Sequence, residues 1–190
     1  PAITAEDFAG DIMVPYHERK QVDLLGAKLV GENVVVSIFD IHKNKVGTQT
    51  IKPNGKKKFN EGMSKKGSFA VTRKITGGFA YIAEGWATAA SVTMATNEAC
   101  VISLDCHNLP NVVEVFKEHK PHIELVVAAD NDKKGIEAAK KSGCRWAVPS
   151  EKDADWNDVW VSQGAKSVQQ GLALAKHTVG LFTKASDIEM

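Results

Sequence analysis

Apolar residues fall at two different periods along this chain, and the change of period divides it. From Leu24 to about Thr76 the spacing is that of short strands. Val34, Val36 and Ile38 share one face of a strand, and Val46 to Ile51 and Gly67 to Val71 form two more candidates. Pro53-Asn54-Gly55 is a strong turn signal between neighbouring strands. This stretch predicts an antiparallel meander. Residues 1 to 21, ahead of it, carry turn and charge signals and one short helix.

At Gly77-Gly78 the pattern changes. Phe79 to Ala83 is a short apolar strand closed by Glu84-Gly85, and Trp86 to Thr96 has helical spacing, with Trp86, Ala89, Ala90, Thr93 and Met94 on one face. Val101 to Leu104 is a strand ending in Asp105. Asn111 to His119 is an amphipathic helix stopped by Lys120-Pro121. Ile123 to Ala129 is the strongest strand, apolar enough after Glu124 to be buried on both faces. Asp132 is placed to cap the next helix, Gly143 to end it, and Cys144 to Val148 is a further strand. Strands alternating with helices predict an α/β fold with a parallel sheet wrapped by helices, preceded by a small antiparallel β-rich lobe. The expected division is residues 1–76, 77–163 and a helical extension at 164–190, where Val168, Leu172 and Ala175 are helically spaced.

Composition adds exclusions. With 190 residues, 43% of them hydrophobic, the chain can bury one good core. No apolar run approaches the roughly 18 to 20 residues of a membrane span, and the N-terminus has no apolar secretory core. Cys100, Cys106 and Cys144 form no CxxC pair, which excludes a four-thiolate zinc ribbon here and fits free thiols in the cytoplasm. The net charge of +1 hides an asymmetry. From Ile41 to Lys74 ten Lys or Arg (Lys43, Lys45, Lys52, Lys56, Lys57, Lys58, Lys65, Lys66, Arg73, Lys74) face one acid, Glu61; from Glu151 to Asp158 four acids face only Lys152. A basic lobe beside an acidic cluster suits phosphate binding next to a metal.

The acids fall in a telling pattern. Ligands of open parallel sheets bind beyond the carboxyl ends of the strands. Three strands end in an acid, at Glu84, Asp105 and Asp130; Asp132 follows, and Asp153, Asp155 and Asp158 lie downstream. Carboxylates gathered at one edge repel, and a divalent cation resolves the conflict. Oxygen donors without Cys or His favour Mg²⁺ or Mn²⁺ over Zn²⁺. His107 and His119 read as surface or packing residues, and Trp156 and Trp160, four apart on a helix, as packing anchors.

Glu84-Gly85 with Asp130-Asn131-Asp132 downstream resembles the Toprim domain shared by DnaG-type primases, topoisomerases and some nucleases. Ala83-Glu84-Gly85-Trp86-Ala87-Thr88-Ala89 is similar to the EGYATA motif of conjugative-plasmid and phage primases, Asp105-Cys106-His107-Asn108-Leu109 to their DAGNL segment, and Asp155-Trp156-Asn157-Asp158-Val159 to their DWNDL segment. Asn54-Gly55-Lys56-Lys57 and Lys66-Gly67 resemble the region upstream, so the likeness covers roughly residues 24–160. Trp86 replaces the usual Tyr, and His107 stands where Gly is common. The resemblance implies Glu84 as general acid/base, Asp130 and Asp132 as Mg²⁺ ligands, and Asp105, Asp155 and Asp158 as holders of a second ion or organisers of the first. It implies nucleotidyl transfer, with RNA primers made from nucleoside triphosphates on a single-stranded DNA template. Lys56, Lys57, Lys58, Lys65, Lys66, Arg73 and Lys74 would then track the nucleic-acid backbone, and Lys133 and Lys134 would contact phosphate directly.

Two rival expectations share these residues: a Toprim-type metal-dependent nuclease, and a non-catalytic nucleic-acid-binding module. A topoisomerase is disfavoured, because Tyr16 and Tyr81 are the only tyrosines and neither sits in an evident cleavage domain. No zinc-binding module and no GxxxxGK[ST] loop for a helicase occurs in the chain, so a fragment of a longer protein, or partners supplying those parts, is expected.

Overall fold

The computed structural model describes residues 14–175; the first turn signals and the end of the 164–190 extension lie outside them. A short helix α1 (Tyr16–Arg19) leads into four strands, β1 (Ala27–Val30), β2 (Asn33–Phe39), β3 (Lys45–Ile51) and β4 (Lys57–Phe59). They form an antiparallel sheet in the order β1-β2-β3-β4. The alternation in β2 is complete: Val34, Val36 and Ile38 are fully buried while their neighbours are half-exposed. The Pro53-Asn54-Gly55 turn forms as expected, with Gly55 at φ +85° and Lys52 and Gly55 joined backbone to backbone.

The second sheet contains β5 (Ala70–Val71), β6 (Phe79–Ala83), β7 (Cys100–Ile102), β8 (Glu124–Ala128) and β9 (Arg145–Ala147), in the order β5-β7-β6-β8-β9. Four strands run parallel, and β5 pairs antiparallel with β7. Helices α2 (Trp86–Thr96), α3 (Leu109–His119), α4 (Lys133–Ser142) and α5 (Trp156–Ala173) follow the strands, and α5 is kinked at Gly164. Asp132 caps α4 through a hydrogen bond from the Gly135 N–H, and left-handed Gly143 ends it. The mixed α/β fold, with a parallel-containing sheet preceded by an antiparallel one, is the class the periodicity predicts. No helix among the described residues is long and apolar enough to cross a membrane.

Three details differ from expectation. The strand expected at Gly67 to Val71 shrinks to two residues and joins the edge of the parallel sheet rather than the meander. Phe39 and Phe69 bridge the two sheets there, so a continuous apolar core holds Val34, Val36 and Ile38 together with Trp86 and Ala90. Strand β7 stops at Ile102 because Leu104 turns left-handed, φ 76°. Helix α2 is buried nearly all round, since it packs between the sheet and α5, and Met94, expected on its inner face, is only half-buried.

Candidate active site

Strands β6 and β8 are central neighbours, and Ile82 lies opposite Val127, so Glu84 and Asp130 leave the sheet side by side. They line a cleft of about 70 Å³ with Lys57 from β4, Tyr16 from α1 and Asp155 from the N-cap of α5. The carboxyl ends of the strands therefore gather acids from three loops, and the basic lobe contributes a lysine.

Electrostatics make this cleft unlike the rest of the surface. Burial pushes the Asp130 carboxyl up to about 7, with Glu84, Asp155 and Asp132 raising it further and only Lys57 opposing. Its Oδ1 is buried without a hydrogen-bond partner. Burial also raises the Glu84 carboxyl; Lys57 opposes, while Asp132 and Asp105 add to the rise. The cleft holds more negative charge than its one lysine offsets.

The other acids are partly committed elsewhere. Asp132 uses Oδ1 to cap α4. Asp155 and Asp158 form a capping box on α5, each accepting the other's backbone N–H at 2.9 Å. Burial works to raise Asp105, but an ion pair with Lys65 and the Asn108 N–H at 2.8 Å outweigh it and hold the carboxyl below the ordinary range. Among the described residues, no three His, Cys, Asp or Glu are grouped closely enough to close on a metal ion. The donor chemistry still fits a hard divalent cation: the orphaned Asp130 Oδ1, the neighbouring Glu84 and the second oxygen of Asp132 are all carboxylate oxygens short of positive charge.

The lysines separate into groups. Alternation along β4 puts Lys57 on the face of Ile51 and Glu84 and turns Lys58 away. Lys65 lies over the Phe59 ring at 5.4 Å and pairs with Asp105. Lys56, Lys58, Lys66, Lys133 and Lys134 are exposed. Arg73 donates to the Asn97 carbonyl and side chain at the C-cap of α2, at the opposite end of the sheet from Glu84, and Lys74 follows it there.

Sequence reasoning passed over the residues that position the acids. Asn108, 3% exposed, donates to the Ser68 and Ser103 carbonyls and accepts the Gly67 N–H, which draws the Lys65 segment to Asp105. Asn131 donates to the Pro149 and Glu151 carbonyls, and its backbone bonds to Asp153 and Ala154, tying the approach to Asp155 against Asp130. Asn157 donates to Lys20 O and Ser91 Oγ. With the indoles of Trp86 on Leu25 O and Trp160 on Gln21 O, it fixes the segment after α1 and hence Tyr16. Gly135 is also fixed by packing, since a Cβ there would lie 2.5 Å from the Asp130 carbonyl oxygen. Each of these asparagines stands beside an acid in the motifs Asp105–Leu109, Asp130–Asp132 and Asp155–Val159, but its carbonyl partners lie in distant segments that only the fold brings to it.

The chain resembles known proteins in sequence and in fold. A family model for the Toprim domain matches residues 79–166. A DNA primase TraC of Escherichia coli is 31% identical over 107 residues, 54% of this chain and 10% of the relative; a second is 26% identical over 126 residues, 63% and 9%. The chain thus spans about a tenth of the length of the curated relatives it matches. Among solved structures, the primase fragment of the bacteriophage T7 primase-helicase superposes with a TM-score of 0.66 at 13% identity, covering 84% of this chain and 74% of that one. The DnaG primase catalytic domain bound to ssDNA gives 0.59 at 12% identity, covering 91% and 64%. The RNA polymerase domain of Mycobacterium tuberculosis DnaG gives 0.56 at 16%, covering 85% and 65%. The match to the Toprim family model runs from the first parallel strand through the kink in the last helix, and the sequence likeness of the chain is to DNA primases.

Proposed function

We propose that this chain performs metal-dependent nucleotidyl transfer, making RNA primers on single-stranded DNA as the Toprim part of a plasmid- or phage-type primase. The observation that carries the reading is the adjacent pair Glu84 and Asp130, charge-deficient and opened to Lys57 at the carboxyl ends of the central strands. The primase names of the relatives support it. Asp130 and Asp132 would hold Mg²⁺ or Mn²⁺, with Asp105, Asp155 and Asp158 around them; the bound ion would neutralise phosphoryl charge and orient the attacking hydroxyl. In the reaction, a 3′-oxygen bonds to the α-phosphorus of a nucleoside triphosphate, the bond to the pyrophosphate leaving group breaks, and the hydroxyl proton passes to a Glu84 Oε. The buried, proton-retaining character of Glu84 suits it to that role. Lys57 meets the phosphate from the opposite wall.

Residues 1–76 would serve as the strand-tracking lobe, 77–163 as the catalytic unit and 164–190 as an extension. Lys56, Lys58 and Lys66 would follow the template backbone, with a zinc-binding module and a helicase supplied elsewhere, in the cytoplasm. The test is primer synthesis on single-stranded DNA with labelled ribonucleotides and Mg²⁺ or Mn²⁺, comparing wild type with Glu84→Gln. Short products that disappear in the variant establish the transferase. Template cutting that depends on Glu84 makes the chain a nuclease instead, and DNA binding with neither activity leaves a binding module.

A further inference from the structure

Tyr16 of α1 lines the carboxylate cleft beside Lys57, Glu84, Asp130 and Asp155, although it lies well ahead in sequence of the residues 79–166 that match the Toprim model. The residue is 9% exposed. Its ring is held from several sides: the Arg19 guanidinium lies 5.4 Å from the ring centroid, the Lys20 Nζ 5.9 Å and the Trp86 ring 6.4 Å. Gly55, in the turn between β3 and β4, completes the holder, since a Cβ there would approach the Tyr16 Cε2 to 3.5 Å. Helix α1 is itself pinned, by Arg19 donating to the Pro53 carbonyl and by Asn157 and Trp160 donating to the carbonyls of Lys20 and Gln21. The hydroxyl is the exception. Among the described residues it makes no hydrogen bond, and unlike the Asp130 Oδ1 it is not fully sealed. A ring held this firmly presents that hydroxyl to whatever occupies the cleft.

The surroundings indicate what the hydroxyl meets. Burial, and then the Asp155 charge, raise the phenol, so it stays neutral through neutral pH. Asp155 uses its Oδ1 to accept the Asp158 N–H and keeps its other oxygen. A hard divalent cation, Mg²⁺ above all, binds through few carboxylates and retains several waters. Those waters donate hydrogen bonds and require acceptors. A further carboxylate beside them would add to the repulsion that already acts on Asp130, whereas a phenol oxygen accepts without charge. We propose that Tyr16 is a positioning residue of the metal site: a water carried by the cation donates one hydrogen to the phenol oxygen and the other to the free oxygen of Asp155. The cleft of about 70 Å³ has room for an ion and a few waters. Segments far apart in sequence, α1 and the N-cap of α5, thus grip the hydrated cation together, and the metal site extends ahead of the family match.

This inference rests on the metal part of the transferase reading, and metal binding can be measured apart from activity. Mn²⁺ is titrated into wild type, Tyr16→Phe, Tyr16→Leu and Asp130→Asn by electron paramagnetic resonance, with thermal melts in EDTA and primer synthesis followed in parallel. Tyr16→Phe keeps the ring and its holders, so it should melt with wild type in EDTA. It should nevertheless bind Mn²⁺ about tenfold more weakly, the usual effect of losing a partner that orients a metal's ligand. Tyr16→Leu should show the same loss of affinity and a lower melt as well. A ring that only packs would give a different pattern, with Tyr16→Phe binding as wild type and Tyr16→Leu weakly, and that result overturns the inference while leaving the metal site. Asp130→Asn should abolish binding; if it binds as wild type does, the metal assignment falls and the role of Tyr16 with it. Mn²⁺ binding that depends on Tyr16 in a chain that makes no primer would overturn the transferase reading and leave the Tyr16 assignment standing.

Discussion

The metal-free chain should become less stable as pH rises from about 4 to 7, and Asp130→Asn should remove most of that loss. The ordinary Asp value of 3.8 applies to the unfolded chain, and the folded chain holds this proton up to about pH 7. Between those values the native state binds more protons than the unfolded one, so stability is greatest below the window and falls as pH climbs through it. At 1.36 kcal/mol per pH unit the rise is worth about 4 kcal/mol, and water reaching the outer part of this mostly buried carboxyl reduces this to roughly 2–4 kcal/mol. Removing the Asp130 charge also relieves Glu84, which acts in the same direction. The new amide would lack a partner as the Oδ1 does now, costing about 1 kcal/mol at every pH. That lowers the variant's curve without tilting it.

Urea denaturation in EDTA from pH 4 to 8.5 measures both curves. At pH 8 the variant should be the more stable by a few kcal/mol less that offset, and the order should reverse near pH 4. Added Mn²⁺ at pH 8 should stabilise wild type and leave the variant nearly unmoved. Parallel curves in EDTA would refute the reasoning, because Asp130 would then titrate alike in the folded and unfolded chains.

Two further substitutions probe the frame around the acids. Gly135→Ala places a methyl 2.5 Å from the Asp130 carbonyl oxygen; overpacking of this kind costs about 1–3 kcal/mol, so Tm should fall by several degrees and Mn²⁺ affinity should drop with it. An unchanged melt would mean that α4 has room to move. Asn108→Ala strands the Ser68 and Ser103 carbonyls and the Gly67 N–H, at about 1–3 kcal/mol for each buried group and about 3–4 kcal/mol together. Faster hydrogen exchange at the Gly67 amide is the local readout, and unaltered protection there would sink the assignment.

The parallel sheet was legible because its strands are short apolar runs closed by Gly and acids, and because Asp132 and Gly143 mark both ends of α4. The joint placement of Glu84 and Asp130 followed from topology, as each ends a parallel strand. Local periodicity could not show that β5 crosses to the other sheet, since a two-residue strand is defined by its partner. Nor could it sort the lysines: Lys57 and Lys58 are adjacent in sequence, and only the pairing of β4 with β3 decides which one faces the acids. Arg73 belonged to the same basic run, yet the chain carries it to the far end of the sheet before β6 begins.

Glu84, Asp105, Asp130 and Asp155 repel one another, so something other than attraction must hold their loops together in the metal-free chain. Asn108, Asn131 and Asn157 meet that requirement with neutral amides, which bind carbonyls without adding charge to a site already rich in it. A lysine in place of any of them would neutralise the acids and compete with a cation; an aspartate would worsen the repulsion and could not donate to carbonyls. Each amide spans segments distant in sequence: Asn108 reaches Ser68, Asn131 reaches Pro149 and Asn157 reaches Lys20. Their placement inside the three acidic motifs is thus explained by the charge beside them, and the motifs are best understood as an acid joined to the amide that holds its loop.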